Sequence, residues 1–194
     1  MVTKNVKKRS RGRAKKMLSR KAWFDQALRI LQAEGIAGVR VERLARDLGV
    51  TKGSFYWHFV DRAELLGSLL EYWTAEFTGV IVDNPEFQGG DPTKRLYRVM
   101  EAIDDRNLAG YDLAMRAWAD HDPLAAAAVR KVDRVRLKFI RGIFAEIGFS
   151  GDELEMRTRT LVVYYSWQQT VNQSMSRADR RSLRKLQHKM LTSS

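Results

Sequence analysis

Positions 51–58 read TKGSFYWH, and side chains capable of specific chemistry crowd there more than anywhere else in the chain. Lys52 brings a point charge, Thr51 and Ser54 bring hydroxyls, and Tyr56, Trp57 and His58 bring flat rings with a polar edge. Phe55 and Phe59 stand one helical turn apart and form an inner face. With those two buried, Lys52, Ser54, Tyr56, Trp57 and His58 point outward or sideways. A cation, hydroxyls and exposed rings on one short turn suit contacts to phosphates, sugars and thymine methyls. An ordinary amphipathic helix pair would account for the phenylalanines. It would leave Gly53, Ser54, Tyr56 and Trp57 unexplained, since small residues in a first turn let backbone approach another surface.

Other chemistries find little support. The chain has no cysteine and three scattered histidines, so disulfides, thiolate metal sites and a Cys nucleophile are excluded and no metal site is expected. Asp120-His121-Asp122 offers metal-binding residue types, yet Asp122 before Pro123 reads better as a helix cap. No Gly-rich phosphate loop, G-x-S-x-G or H-E-x-x-H pattern occurs. The chain is therefore expected not to be an enzyme and to need no cofactor.

Net charge is +12 over 194 residues, and its location is uneven. Residues 1–21 hold ten Lys and Arg and no acid; taking those ten from 35 leaves 25 basic against 23 acidic residues elsewhere. Such a block repels itself and has little to bury. A phosphate-binding arm over 1–18 is the expected reading; a solvated extension and a contact with anionic membrane are the alternatives. No apolar stretch follows the positive residues as a secretion signal requires, and no run of 18 apolar residues exists, so a cytoplasmic protein with no membrane partner is expected.

The elements that must position the 51–58 cluster read as helices throughout. Phe24, Ala27, Leu28 and Leu31 recur at the spacing of one buried face, with Ser19 as cap and Gly35 as stop. Val41, Leu44, Ala45 and Leu48 repeat the pattern until Gly49 breaks it, and Thr51 caps a third helix. Asp61 and Glu64 form a capping box for a long helix ending at Asn84-Pro85. Further helices start at Asp91-Pro92, after Gly110, at Asp122-Pro123, and at Ser150 with Glu153. The last runs over about 178–191, with Leu183, Leu186 and Met190 inward. The fold class is all-α, with about nine helices.

Two short helices around a Gly-containing turn make a helix-turn-helix, whose second helix presents its first residues to the major groove. Residues 19–66, above all RLARDLGVTKGSFYWHFVDRAELL, resemble the DNA-binding region of the TetR family of bacterial transcriptional regulators. Leu44-Ala45, Gly49-Val50-Thr51, Gly53-Ser54, Tyr56, Phe59, Arg62 and Leu65-Leu66 carry the resemblance. It implies that Thr51, Lys52, Gly53 and Ser54 begin the recognition helix, that Tyr56, Trp57 and His58 clamp the phosphate backbone, and that Arg62 holds a phosphate. Arg40 stands near a position where the family commonly has Thr; it either reaches a phosphate or is solvated.

The resemblance further implies that residues 67–194 bind a ligand and dimerise. Trp73, Phe77, Tyr97, Met100, Trp118, Phe139, Tyr164 and Trp167 are the large residues available to line a pocket, although aromatics at helical spacing also serve as plain core. Arg116, His121, Tyr164 and Gln168 can supply its polar groups. Arg116 points either to an anionic ligand or to a surface ion pair. Leu161, Val162, Tyr165, Gln169 and Leu186 form the expected seam of a homodimer, which would read a pseudo-palindromic stretch of double-stranded DNA. The expected function is a repressor released from DNA by a small apolar or amphipathic effector. The alternative is a DNA-binding regulator without such an effector, controlled by abundance or a protein partner.

Overall fold

Caps written into the sequence start most of the helices. In the computed structural model, which describes residues 18–171 and 174–193, the Ser19 hydroxyl accepts from the Ala22 amide and opens α1 (Arg20–Glu34). Gly35 closes it at φ 73° with an extended ψ. The basic arm lies outside the described residues except for Leu18. After a 3-10 turn at Ile36–Gly38 come α2 (Val41–Asp47) and α3 (Lys52–Tyr56). Asp61 accepts from the Glu64 amide at 2.8 Å, and the Glu64 carboxylate reaches back to the Val60 amide at 2.6 Å. This box opens α4 (Arg62–Thr74), which runs on through a π-turn (Ala75–Gly79) into α5 (Val80–Val82).

The remaining helices are α6 (Pro92–Asp105), α7 (Asp112–Ala119), α8 (Pro123–Ile147), α9 (Gly151–Val171) and α10 (Arg177–Thr192). With α4 and α5 taken as one interrupted rod, nine helices and no strand make up the described residues.

Two hydrophobic cores lie along the chain. The first packs Trp23, Leu28 and Leu31 of α1 with Leu44, Phe55 and Phe59, and runs on without a break to Trp73 on α4, Met115 and Trp118 on α7 and Val132 on α8. The boundary expected between residues 66 and 67 therefore falls inside α4, and α7 and α8 belong to the same packed body as the helix-turn-helix. The second core packs Leu96, Val99 and Met100 of α6 against Ile140, Ile143 and Phe144 of α8 and Leu161 and Tyr165 of α9.

At the head of α8 the Asp122 carboxylate accepts from the amides of Leu124 (2.8 Å) and Ala125 (3.0 Å). Capping thus occupies the residue that had also suggested a metal. Those amides pull its pKa below the ordinary 3.8, the Ala125 bond contributing most. Asp122→Ala is expected to cost about 1 kcal/mol at neutral pH. A lowered folded pKa gives stability that is present above the unfolded value and lost as pH falls through the folded one. Urea titrations of both proteins are therefore expected to converge below about pH 4; a gap that stays constant to lower pH would remove charge from the cap.

Candidate nucleic-acid interface and helical cavity

A glycine turn sets the angle between α2 and α3. Gly49 sits at φ 67°, its amide donating to the Arg46 carbonyl (3.1 Å), while the Val50 amide reaches back to Ala45 (2.9 Å). This pair of bonds is the Schellman ending that only a left-handed residue completes at low cost. Phe55, fully buried, then pins α3 by meeting Trp23 edge-on at 5.5 Å and Phe59 at 5.2 Å.

With that face fixed inward, the opposite one is open. Trp57 is 79% exposed and Tyr56 60% exposed, and Thr51, Lys52 and Gly53 are also exposed. Ser54 is half-buried, its hydroxyl 3.3 Å from that of Thr51; this pairing replaces a bond from Thr51 to the backbone, so Thr51 occupies the cap position without capping through its side chain. His58 is half-buried beside Trp23, with ring centroids 6.4 Å apart. A β-carbon at Gly53 would meet only the Thr51 hydroxyl, at 3.7 Å, so nothing among the described residues requires a glycine there.

Two of the charges on this face have partners within the chain. Lys52 sits 2.5 Å from the exposed Glu42 carboxylate, and that hydrogen bond raises the ammonium pKa and lowers the carboxyl's. Arg40 is exposed at the head of α2. Arg62 donates through Nε to the Val39 carbonyl (2.6 Å) and through one terminal nitrogen to Ile36 (2.9 Å). It therefore braces the turn leading into α2.

Farther along, a narrow cavity opens between the π-turn with α5, α6, α8 and α9, with about 520 Å³ of empty space counted together with its mouth. Phe77, Val99, Ile103, Phe139, Ile140 and Leu161 contribute to its apolar walls, and Thr78, Arg136 and Ser166 are polar. Among the residues expected to line a pocket, only Phe77 and Phe139 do so. Trp73 and Trp118 are core on the helix-turn-helix side, and Met100 is core of the second cluster. Trp118 and His121 border a separate groove where α1 meets α7. Tyr97 packs on His188 at 5.3 Å and joins α6 to α10, while Tyr164 leans edge-on against Tyr165. Gln168 is buried beside a charged cleft at the α6–α10 junction, and Trp167 is 48% exposed. Arg116 makes an ion pair with Asp133 (2.7 and 2.9 Å) and does not line the cavity.

The expected seam also needs correction. Leu161 and Tyr165 are buried within the chain's own second core, and together with Val162 they line the cavity. Burial pushes the Tyr165 phenol pKa well up, so it stays neutral. The Gln169 side chain lies outside the described residues. On α10 the inward face is not Leu183, Leu186 and Met190, all of which are exposed. Arg184 takes that place, reaching Asp104 (2.8 Å) and Glu101 (3.1 Å) and lying over the Tyr97 ring. Arg184 and Leu191 thus face inward on α10, while Leu183 and Leu186 are turned out.

Fold and open face together define an all-helical protein whose helix-turn-helix is continuous with a larger helical body. Residues 24–69 match the family model described as bacterial regulatory proteins, tetR family. The regulator AcrR of Shigella flexneri is 30% identical over 80 residues, 40% of this chain and 36% of that protein. The class C tetracycline repressor protein of Escherichia coli is 41% identical over 54 residues, 28% of this chain and 25% of its own length. The matched region thus spans well under half of these relatives. Among solved structures, a transcriptional regulator from Rhodococcus sp. Rha1 superposes with a TM-score of 0.71 at 18% identity, over 90% of this chain and 96% of that one. FadR of Bacillus subtilis, solved in complex with stearoyl-CoA, gives 0.66 at 17% identity over 90% and 98%. Residues 24–69 thus form a DNA-binding region of the tetR type, and the chain as a whole shares the fold of these solved regulators.

Proposed function

We propose that this chain is a cytoplasmic, sequence-specific DNA-binding transcriptional repressor that acts as a homodimer and leaves DNA when a small molecule enters the helical cavity. The observation that carries the reading is α3, where Lys52 and Gly53 in the first turn and Trp57 at the end stand clear of the core, and position 53 is a glycine although the surroundings have room for a larger residue. In a helix-turn-helix that turn meets base edges, while neighbouring side chains hold phosphates. The partner is double-stranded DNA, with Thr51, Lys52, Gly53 and Ser54 against bases and Arg40, Tyr56, Trp57, His58 and Arg62 against the backbone. Release by a ligand draws support from the cavity between the π-turn, α8 and α9, since α4 leads from the helix-turn-helix into the π-turn, whose Phe77 and Thr78 line that wall.

The dimer draws support from apolar side chains left uncovered. Met156, Val163 and Trp167 form an exposed stripe on α9, and Leu183, Leu186 and Met190 form one on α10. Exposed apolar stripes of this kind suit an association site, and two copies pairing through both helices would make a four-helix seam. Selection from a random duplex pool is expected to return inverted half-sites about one helical turn, ~34–36 Å, apart. On the selected duplex Lys52→Ala is expected to lose roughly 1–3 kcal/mol beyond its loss on random DNA. Equal losses on both, or unrelated recovered sequences, would defeat the assignment. Recovery that persists unchanged with a metabolite mixture present would favour a regulator without an effector.

A further inference from the structure

The cavity carries information about what it admits. Its polar groups are few, and the charged ones around it are already matched. Among the described residues Arg136 is the one charged side chain in the lining. It donates to both oxygens of Asp112, whose carboxylate is fully buried. Its Nε–H goes to the Thr78 hydroxyl at 3.0 Å, and a terminal nitrogen also reaches the Phe77 carbonyl at 3.3 Å. One step farther out, Arg116 is paired with Asp133 through both terminal nitrogens, and at 3.5 Å it backs Ser166. Two guanidiniums thus face two carboxylates.

From this balance we infer that the cavity takes an uncharged amphiphile, an apolar chain or ring bearing one neutral hydrogen-bonding group, and rejects carboxylates and amines of the same shape. The inference rests on the reading of the cavity as the effector site and names the class of effector. An isolated charge brought between apolar walls loses its hydration, and here each guanidinium at or behind the wall is already matched by a carboxylate. A hydroxyl or carbonyl loses far less. Ser166 on the wall and the Arg136 N–H left over from five can satisfy it.

A matched series tests this: decanol, decanoate and decylamine at neutral pH. Binding is read by calorimetry, and DNA release by fluorescence anisotropy on a selected duplex. Decanol is expected to bind saturably and about tenfold or more tighter than either charged analogue, a gap of about 1.4 kcal/mol or more. Ser166→Ala, which leaves the ion pairs intact, is expected to weaken decanol severalfold. Decanoate or decylamine binding as tightly as decanol, or no saturable decanol binding, would overturn the inference. The two readings fail separately. Decanol that binds without releasing DNA would sink the effector role and leave the charge rule standing. Decanoate that binds tightest and releases DNA would do the reverse.

Discussion

Arg136→Met is expected to destabilise the protein by about 3–5 kcal/mol, because it strands a buried carboxylate. Asp112 has no solvent-exposed surface and its oxygens are held by Arg136. Burial pushes the Asp112 pKa up, and Arg136 is the chief influence drawing it back. Without the guanidinium, Asp112 has one low-energy course at neutral pH, which is to take up a proton. Carrying a carboxyl from its usual pKa near 3.9 to protonation at pH 7 costs about 4 kcal/mol at 1.36 kcal/mol per unit, so the two estimates agree. The sign with pH follows. In the variant the folded pKa lies far above the unfolded one, so the protonated carboxyl is no burden below pH ~4 and a growing one as pH rises. Urea midpoints should show the deficit widest near pH 7 and shrinking toward acid. Adding Asp112→Leu should recover much of the loss, since matched apolar replacements often equal a buried ion pair. A single variant losing under about 1 kcal/mol at pH 7 would show that the pair does not hold α7, α8 and the π-turn together.

That pair also shows where the sequence stops being readable. Helix positions and starts were legible because their causes are local: Ser19, Asp61, Asp91 and Asp122 each cap a helix they precede. The α2–α3 unit was legible because Gly49 and Phe55 act within a few residues of each other. Facing was not, for α9 and α10. Apolar residues lie on both sides of α9, Leu154, Leu161 and Tyr165 inward and Met156, Val163 and Trp167 outward, so periodicity alone cannot choose a side. For α10 the choice was made by Arg184 pairing with acids about 80 residues earlier, which no local pattern contains. The cavity escaped for a related reason. Large aromatics fill cores, and the cavity walls are mostly smaller aliphatic residues such as Val99, Ile103 and Ile140. One signal was present and unused: Asp112 and Arg136 each interrupt an apolar stripe, with Met115 and Trp118 on α7 and with Val132 and Ile140 on α8. A charge in a buried stripe asks for a partner of opposite sign.

Gly53→Ala is expected to move stability and DNA affinity in opposite directions, which separates the interface from every structural account of the same glycine. In a helix, alanine is favoured over glycine by up to about 1 kcal/mol. The added methyl meets nothing closer than the Thr51 hydroxyl at 3.7 Å, an ordinary contact, and Gly53 is not among the glycines with positive φ. Folding alone would therefore accept or favour the change, and the urea midpoint should hold or rise. Against a duplex the outcome reverses. The first turn of α3 can seat its backbone beside the groove only where no β-carbon intervenes, and Lys52 and Ser54 on either side lose their reach if the helix is held off. A loss of roughly 1–3 kcal/mol, about ten- to a hundredfold, is expected on the selected sequence. On random DNA, held through phosphates and read at matched salt, the loss should be smaller. Alanine that raises the midpoint and leaves specific affinity untouched would mean that α3 does not approach DNA by its first turn, and the regulatory reading would lose the observation on which it stands.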